Sequence, residues 1–367
     1  MDIRISKNDL VRGLSLSHGI ADRKATVPIL ANVLIQTSGK ENVSFAATDL
    51  KVVLTMKLPA RVEEEGGIAV GARQLVEIAK GIAGDEAELK RTEQDWLQLR
   101  CGRSEFKIVG MSDKDYPKLP VISGKDLCKV EARVLREMIG RTIFSISQDE
   151  SRPHLSSVFV ESDGEKMTLV STDGHRLSKA TEAMSGGPKL VPGVLLPRKG
   201  VGEIRRVLEG CGEHCEIGVE QGYFVVRVDD ATLLVKMGEG QFPPYEQVIP
   251  KDNDKHVIVS RATLLEVLRR VSIVASDKTW GIRITLEKKK ISIEADNPDL
   301  GMARETIDVD YQGEKLQIGF NSRYFIELLG EMGGSEVVIE LGGDLDPAVV
   351  KPVEGEEYVG VIMPMRL

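Results

Sequence analysis

VSTDGHRLSK, residues 170–179, is one of three related segments on which the fold assignment rests. AATDLKVVLT (46–55) shows the same order: a small residue, Thr-Asp, and an apolar continuation. EADNPDLGMA (294–303) is a weaker third copy. The aligned acidic residues are separated by 124 and 123 residues; they are Asp49, Asp173 and Asp296. A nearly constant period of this length indicates three copies of one structural unit.

The same types of element surround each copy. An alternating apolar run precedes it, an amphipathic segment follows it, and another amphipathic segment opens the unit, as expected for strands and helices respectively. The runs are 27–36, 152–161 and 279–287; the predicted helices are 6–21, 72–82, 131–147, 198–210, 260–276 and 322–332.

This order predicts an α+β protein with three repeated domains, each with two helices packed on antiparallel sheets. The predicted domains are 1–120, 127–250 and 251–367, a size at which domains commonly fold. Strands and helices do not alternate regularly as in a doubly wound fold. The sequence also lacks a phosphate-binding loop and a dinucleotide fingerprint.

Composition excludes several classes of protein. The 367 residues contain no apolar run of membrane-spanning length, and the charged start MDIRISKNDL is unlike a signal peptide. The four cysteines are too scattered for a disulfide framework. These features predict a soluble cytoplasmic protein.

Two local motifs have the residue types of a reactive site. Ser171, Asp173 and His175 are those of a hydrolytic triad, but they alternate along one short segment, and the other two copies lack the histidine. An aspartate after a strand more often fixes a turn through backbone hydrogen bonds. CGEHC (211–215) has metal-ligand residue types without a second ligand pair. We therefore expect no catalytic residues, no metal and no cofactor, and a hydrolase stays a minor alternative.

The distribution of charge is more informative than its sum. A net charge of −8 argues against a nucleic-acid partner, yet the six predicted helices hold fifteen basic and nine acidic side chains, a net of +6. The remainder is correspondingly acidic. A protein whose helices carry a positive net charge and whose sheets carry a negative one could bind a polyanion on its helix side, through contacts with phosphates. Ordinary solvated helix faces would also explain the pattern.

Several phrases together resemble the bacterial DNA polymerase III beta subunit family, the sliding clamps. They are TVPIL (26–30), TDGHRL (172–177), PRKGV (197–201), GFNSRY (319–324) and MPMRL (363–367), in the family's order over the whole length. The resemblance implies a head-to-tail homodimer that closes into a ring, with helices inside and sheets outside. Such a ring is not an enzyme; it encircles duplex DNA without reading its sequence and tethers the polymerase. A head-to-tail contact joins two different surfaces of the chain and can close a ring after two copies. Such a contact suits a chain that is built from internal repeats.

The resemblance also implies three sets of site residues. The DNA-binding set combines matched family positions with basic helix residues: Lys24, Arg73, Arg152, Arg198, Lys199, Arg205, Arg206, Arg269 and Arg270. The partner-peptide groove comprises Leu155, Thr172, Gly174, His175, Arg176, Leu177, Pro243, Val248, Asn321, Tyr324, Val361, Met363, Pro364, Met365 and Arg366. The dimer interface comprises Phe106, Ile108, Ile273 and Val274.

The implied partners are duplex DNA, the DNA polymerase III catalytic subunit, the clamp loader, repair polymerases and other proteins with a clamp-binding motif. The sequence departs from the family pattern at Gln74, Gln247, Thr279 and the acid-poor stretch 299–305, which affects the expected interface ion pairs and motif preference. A scaffold of the same fold that never surrounds DNA is the principal alternative.

Overall fold

The computed structural model describes residues 1–21, 27–355 and 357–366. By its internal contacts the chain forms two compact units, one of residues 1–136 with 199–237 and one of residues 137–198 with 238–367. The predicted central domain therefore contributes strands to both units.

Within the described ranges, six α-helices form where the amphipathic segments predict them. They are α1 (Lys7–Ile20), α2 (Ala72–Gly81), α3 (Ala132–Ile143), α4 (Arg198–Leu208), α5 (Arg261–Val271) and α6 (Ser322–Glu331). Side-chain caps begin three of them: Ser6 accepts from Asp9 N, Ser260 from Thr263 N, and Asn321 from Arg323 N. Such caps satisfy amides that have no partner within the helix.

The strands are short and pair only in antiparallel fashion across the described residues. Those of the first predicted domain and its linker are β1 (Asp2–Ser6), β2 (Asn32–Thr37), β3 (Asn42–Thr48), β4 (Val52–Pro59), β5 (Arg61–Glu64), β6 (Gly67–Gly71), β7 (Glu86–Arg91), β8 (Trp96–Cys101) and β9 (Ser104–Met111). Those of the second are β10 (Cys128–Glu131), β11 (Ser157–Ser162), β12 (Lys166–Thr172), β13 (Arg176–Ala183), β14 (Leu190–Pro197), β15 (His214–Glu220), β16 (Tyr223–Val228) and β17 (Ala231–Lys236). Those of the third are β18 (Lys255–Ser260), β19 (Gly281–Glu287), β20 (Lys290–Asn297), β21 (Gly301–Asp308), β22 (Leu316–Asn321), β23 (Glu336–Leu341), β24 (Ala348–Pro352) and β25 (Glu357–Ile362).

One sheet runs through the first unit, in the order β10-β15-β16-β17-β4-β3-β2-β6-β9-β8-β7-β1-β5. Strands of two predicted domains meet where β17 pairs with β4, and Val53 lies opposite Leu234. We call this pairing the first seam. It extends the sheet continuously from the first repeat into the second.

The second unit has an eight-stranded sheet, β14-β11-β12-β13-β25-β24-β23-β18, and a four-stranded sheet, β21-β20-β19-β22. Here β13 pairs with β25, and Leu177 lies opposite Val361. We call this pairing the second seam. It repeats the first seam one domain later in the chain.

Aliphatic side chains fill the cores, as the scarcity of aromatics predicts. In the second unit, Leu264 and Leu268 on α5 are at most 1% exposed, and Phe320 meets Phe325 edge to face with centroids 5.2 Å apart. Full burial of one such side chain contributes roughly 1.5–3 kcal/mol. Among the described helices, none is long and apolar enough to cross a bilayer.

Candidate functional site

The TDGHRL segment forms a tight turn between β12 and β13. Asp173 Oδ1 accepts hydrogen bonds from the amides of His175 (2.9 Å) and Arg176 (3.1 Å). The Thr172 hydroxyl donates to Arg176 O and accepts from Gly174 N. Gly174 has φ +93°, a conformation that costs glycine little. The side chains of Thr172 and Asp173 therefore serve to hold the turn, by hydrogen bonds to its own backbone.

The first repeat builds the same turn. Asp49 Oδ1 accepts from the amides of Lys51 (2.9 Å) and Val52 (2.7 Å), and Leu50 has φ +74° at the position of Gly174. In the third repeat the alignment on Asp296 is wrong by one residue. Asn297 Oδ1 accepts from Asp299 N at 3.0 Å, while Asp296 lies within β20. With Asn297 as the turn residue, both separations become 124 residues.

The hydrolytic arrangement of Ser171, Asp173 and His175 does not assemble. Ser171 is fully buried, and its hydroxyl donates to Thr142 O at 2.5 Å. Asp173 is used by the turn amides and by Arg176 Nε (3.0 Å). His175 is exposed in the turn between β12 and β13. Neither a base for Ser171 nor an orienting carboxylate for His175 is in place.

Arg176 is the most highly connected side chain of the turn, and only 10% of it is exposed. Its guanidinium donates to Asp173, Glu327 and Phe144 O. It also stacks on Tyr324, with Cζ 4.5 Å from the ring centroid, a favourable cation–π geometry. Arg176 therefore holds the turn against α6 and does not project into solvent.

Glu327 completes this network from α6. Burial alone would raise the pKa of Glu327, but hydrogen bonds from Arg176 and Arg323 keep that pKa below its ordinary value. Burial and the Asp173 charge raise the pKa of Tyr324. The carboxylate is thus held ionised by two arginines in a partly desolvated position.

The chain's last described residues run across this turn. Met363 N donates to His175 O (2.9 Å), and Met365 N donates to Gly319 O (2.8 Å). Asn321, which caps α6, is the last residue of β22. The segment 363–366 is thereby fixed between the turn and the start of α6, with Tyr324 half-buried beside it.

The predicted groove residues all lie in the second unit, around the second seam. Leu177 and Val361, at 3% and 1% exposure, belong to one apolar cluster that forms a buried base, and Leu155 is buried at 8% exposure. Val248 and Met363 are 47% and 37% exposed. The remaining members are half-buried or exposed along the turn, the 243–248 segment, α6 and the last residues: Thr172, Gly174, His175, Arg176, Pro243, Asn321, Tyr324, Pro364, Met365 and Arg366. An apolar base with exposed apolar rims and a few polar groups can accept a short peptide.

An aromatic cluster beside the groove was not predicted from the sequence. Phe159 and Phe242 stack with centroids 5.1 Å apart and planes 8° apart, and Tyr245 lies 6.3–6.4 Å from both. Tyr245 joins Leu177 and Val361 in one apolar cluster. The phrase FPPY (242–245) in a chain so poor in aromatics was the signal that could have indicated it.

Lys199, Arg206 and Arg270, from the predicted DNA-binding set, each bond to a residue of another element of the protein. Lys199 pairs with Asp49 and donates to Ile20 O (3.1 Å). Arg206 donates to Ser15 O and Leu16 O on α1 and pairs with Glu203. Arg270 makes a two-pronged pair with Glu305, both contacts at 2.8 Å.

The others are more accessible. Arg73 and Arg152 form exposed pairs with Glu77 and Asp149, contacts that contribute little to stability and exchange readily. Arg198 and Arg269 are exposed, and neither has an ion-pair partner in the part of the chain that is described; Arg205 is half-buried. Lys24 lies outside the described residues.

The predicted interface residues lie on two surfaces. In the first unit, Phe106 and Ile108 are half-buried on one face of β9, beside an open cavity of about 600 Å³ that reaches the start of α2. In the second unit, Ile273 is 76% exposed and Val274 half-buried after α5. Leu300 and Met302, next to β21, are 64% and 68% exposed.

The CGEHC segment has protonated thiols. Burial, and secondarily Cys211, raises the pKa of Cys215 to about 12. Burial also raises the pKa of Cys211, whose thiol donates to Leu208 O. Because metals bind thiolates, neither sulfur is prepared as a ligand. Among the described residues, no group of three or more metal-binding side chains occurs.

Comparison with known proteins identifies the family. Family models of the DNA polymerase III beta subunit match the sequence over residues 1–120 (N-terminal domain), 129–244 (central domain) and 246–366 (C-terminal domain). The chain is 33% identical to the beta sliding clamp of Pseudomonas putida, and the alignment covers 100% of both chains.

Solved structures agree. The DNA polymerase III subunit beta of Pseudomonas aeruginosa superposes with a TM-score of 0.92 at 32% identity over 100% of both chains. The sliding clamp of Bartonella birtlesii, solved bound to griselimycin, gives a TM-score of 0.93 at 30% identity, again over 100% of both. The chain therefore belongs to the DNA polymerase III beta subunit family and is a sliding clamp, a processivity factor of DNA replication rather than a catalytic subunit.

Proposed function

We propose that two copies of this chain close head to tail into a ring around duplex DNA and present the groove of the second unit to replication and repair proteins. The observation that carries the proposal is the second seam, where Leu177 and Val361 form a buried apolar base while Val248 and Met363, in the adjoining segments, are exposed. Partners would include the polymerase catalytic subunit, the clamp loader and repair polymerases. The proposed domain limits remain 1–120, 127–250 and 251–367, and the proposed compartment is the cytoplasm.

The groove's chemistry supports binding of short peptides with apolar anchors. Met363 and Met365 flank its base, and methionine adapts to anchors of different shape. We expect that replacing His175 and Met363 together by alanine abolishes binding of a labelled peptide with leucine and phenylalanine anchors. Fluorescence anisotropy measures this, and native mass spectrometry checks that the dimer persists. Val191→Ala, at a position that is 80% exposed, is the control. Undiminished binding by the double variant would show that the groove was assigned to the wrong residues.

The proposed ring contact joins β9 of one copy to β21 of the other. The outer edge of β9 over residues 104–109 and one edge of β21 have no strand partner in the described structure, and such edges pair readily with another chain. Because Leu300 and Met302 are exposed where acidic residues are few, we propose a mainly apolar contact. Ile273→Asp should then give monomers in native mass spectra, while Ile258→Asp, at a 51% exposed site, should not.

Exposed arginines support a mobile contact with phosphates. We expect the clamp to be retained on closed circular duplex and lost when the circle is linearised, because topology and not affinity would hold it. Replacing Arg198 and Arg269 by alanine should lower the slope of log affinity against log salt by roughly two, about one for each phosphate contact. Arg61→Ala, whose side chain is 72% exposed on β5, is the matched control. Equal retention on linear and circular DNA would favour the alternative, a scaffold that does not surround DNA.

A further inference from the structure

An open pocket of about 420 Å³ adjoins the proposed groove in the second unit. Its walls are the stacked rings of Phe159 and Phe242 together with Tyr245. Pro243 lines the pocket and is also a member of the proposed groove. The volume lies within the roughly 300–1,000 Å³ at which protein pockets bind ligands.

The charge of this pocket is one-sided. Glu161 and Glu246 line it, and none of its lining residues is basic. Glu161 is half-buried and accepts a hydrogen bond from the Tyr245 hydroxyl. Outside this lining, Lys179 on β13 places its ammonium 5.5 Å from the Tyr245 ring centroid. Burial and then Glu161 raise the pKa of Tyr245, so that hydroxyl stays a donor at neutral pH.

Aromatic faces beside carboxylates are the surroundings that a cationic side chain prefers. A guanidinium stacks on an aromatic ring and pairs with a carboxylate at the same time. Gln247, also in the lining, is uncharged, so no residue that lines the pocket neutralises the two carboxylates. An acidic or phosphorylated segment would be repelled here.

We propose that this pocket binds an arginine side chain of partner peptides, next to the apolar anchors that enter the groove. The inference rests on the proposed peptide-binding function of that groove and adds a charge preference to it. Partner segments with arginine beside the anchors would thus bind in preference to neutral or acidic ones.

Three versions of one labelled peptide with leucine and phenylalanine anchors test this proposal. In one set, the residue before the first anchor is arginine, glutamine or glutamate. In a second set, the same three residues stand after the last anchor. At low salt we expect one arginine version to bind about five-fold more tightly than its glutamine counterpart, and the glutamate version to bind more weakly. An effect of this size corresponds to a cation–π contact with a partly exposed ion pair. The preference should decrease as salt rises.

Substitutions in the pocket test whether the preference for arginine arises there. The double variant Glu161→Gln with Glu246→Gln should remove the preference for arginine, and Gln247→Arg should reverse it by placing a cation in the pocket. Glu165→Gln, at an exposed position in the turn after β11, should keep it. Equal binding of all three versions, or a preference that survives the double variant, would overturn the proposal while leaving the groove intact. Failure of every version to bind would instead contradict the proposed groove.

Discussion

The first and second seams are copies of one arrangement with different outcomes. In both, an apolar pair lies across two paired strands, Val53 with Leu234 and Leu177 with Val361. The linker after the first repeat covers its seam, because Leu119, Ile122 and Leu127 pack on that cluster. The first seam is therefore occupied by the protein's own chain.

The corresponding linker after the second repeat packs Phe242, Tyr245 and Ile249 on its cluster. Its continuation KDND (251–254) is polar, and Asn253 donates to Glu340 O and Pro347 O. The comparison teaches that both linkers cover their seams, but that the second leaves the apolar residues Val248 and Met363 of the adjoining segments 47% and 37% exposed.

The largest expected effect comes from the network that shapes the second seam. Arg176→Ala leaves Asp173 partly buried without its cation and leaves Glu327 with Arg323 alone, and we expect a loss of about 3 kcal/mol in the free energy of unfolding. Chemical denaturation measures this. Arg323→Ala is the matched control, since Arg323 pairs with the same Glu327 at 2.8 Å but is 54% exposed; it should cost less than about 1 kcal/mol. Similar losses in both variants would contradict the special role of Arg176.

Uncovering the first seam should have a smaller effect. Ile122→Ala with Leu127→Ala removes half-buried side chains from the linker, and we expect a loss of about 2 kcal/mol in unfolding free energy together with increased binding of an apolar dye. Val121→Ala, in the same linker but 83% exposed, should change stability by less than about 0.5 kcal/mol. If the double variant binds no more dye than the control, the linker is not the cover of this seam.

The smallest effect concerns the polar attachment of that linker. The amides of Ser123 and Gly124 donate to Glu220 at 2.8 and 3.0 Å, and these bonds lower the pKa of Glu220 below its ordinary value of 4.5. Their contribution is therefore present above pH 4.5 and is lost as pH falls through the lowered pKa. Hydrogen exchange should show protection of both amides at pH 7, reduced roughly 3- to 10-fold in Glu220→Gln. Equal protection in the variant would exclude this attachment.

The sequence was sufficient for the architecture, because each repeat places amphipathic segments at the same intervals. All six helices were predicted, and the predicted ends lie within two residues of the observed ones except at the ends of two helices. The prediction ran to residue 147 where α3 ends at Ile143, and to residue 276 where α5 ends at Val271. Serine and threonine hydroxyls explain this: Thr142 donates to Met138 O and Ser272 to Leu268 O, occupying carbonyls of the last turn.

Prediction of the site was less complete for a physical reason. Spacing shows that Arg176 belongs to the turn, but not that its guanidinium is buried against Phe144 and Tyr324 from distant segments. Likewise, Arg206 and Arg269 are both basic residues of predicted helices. In the structure Arg206 bonds to α1, whereas Arg269 is exposed. Which charges are available to a ligand depends on tertiary contacts that a pattern in one segment does not contain.

Arg206 reaches α1 only because residue 19 has no side chain. A β-carbon added at Gly19 would lie 2.0–2.2 Å from the guanidinium atoms. A side chain at position 19, 187 residues from Arg206 in the chain, would therefore displace the guanidinium from the carbonyls of Ser15 and Leu16. Among relatives we expect an alanine or larger residue at position 19 to occur with a shortened side chain at position 206, an evolutionary coupling that a set of aligned sequences would reveal.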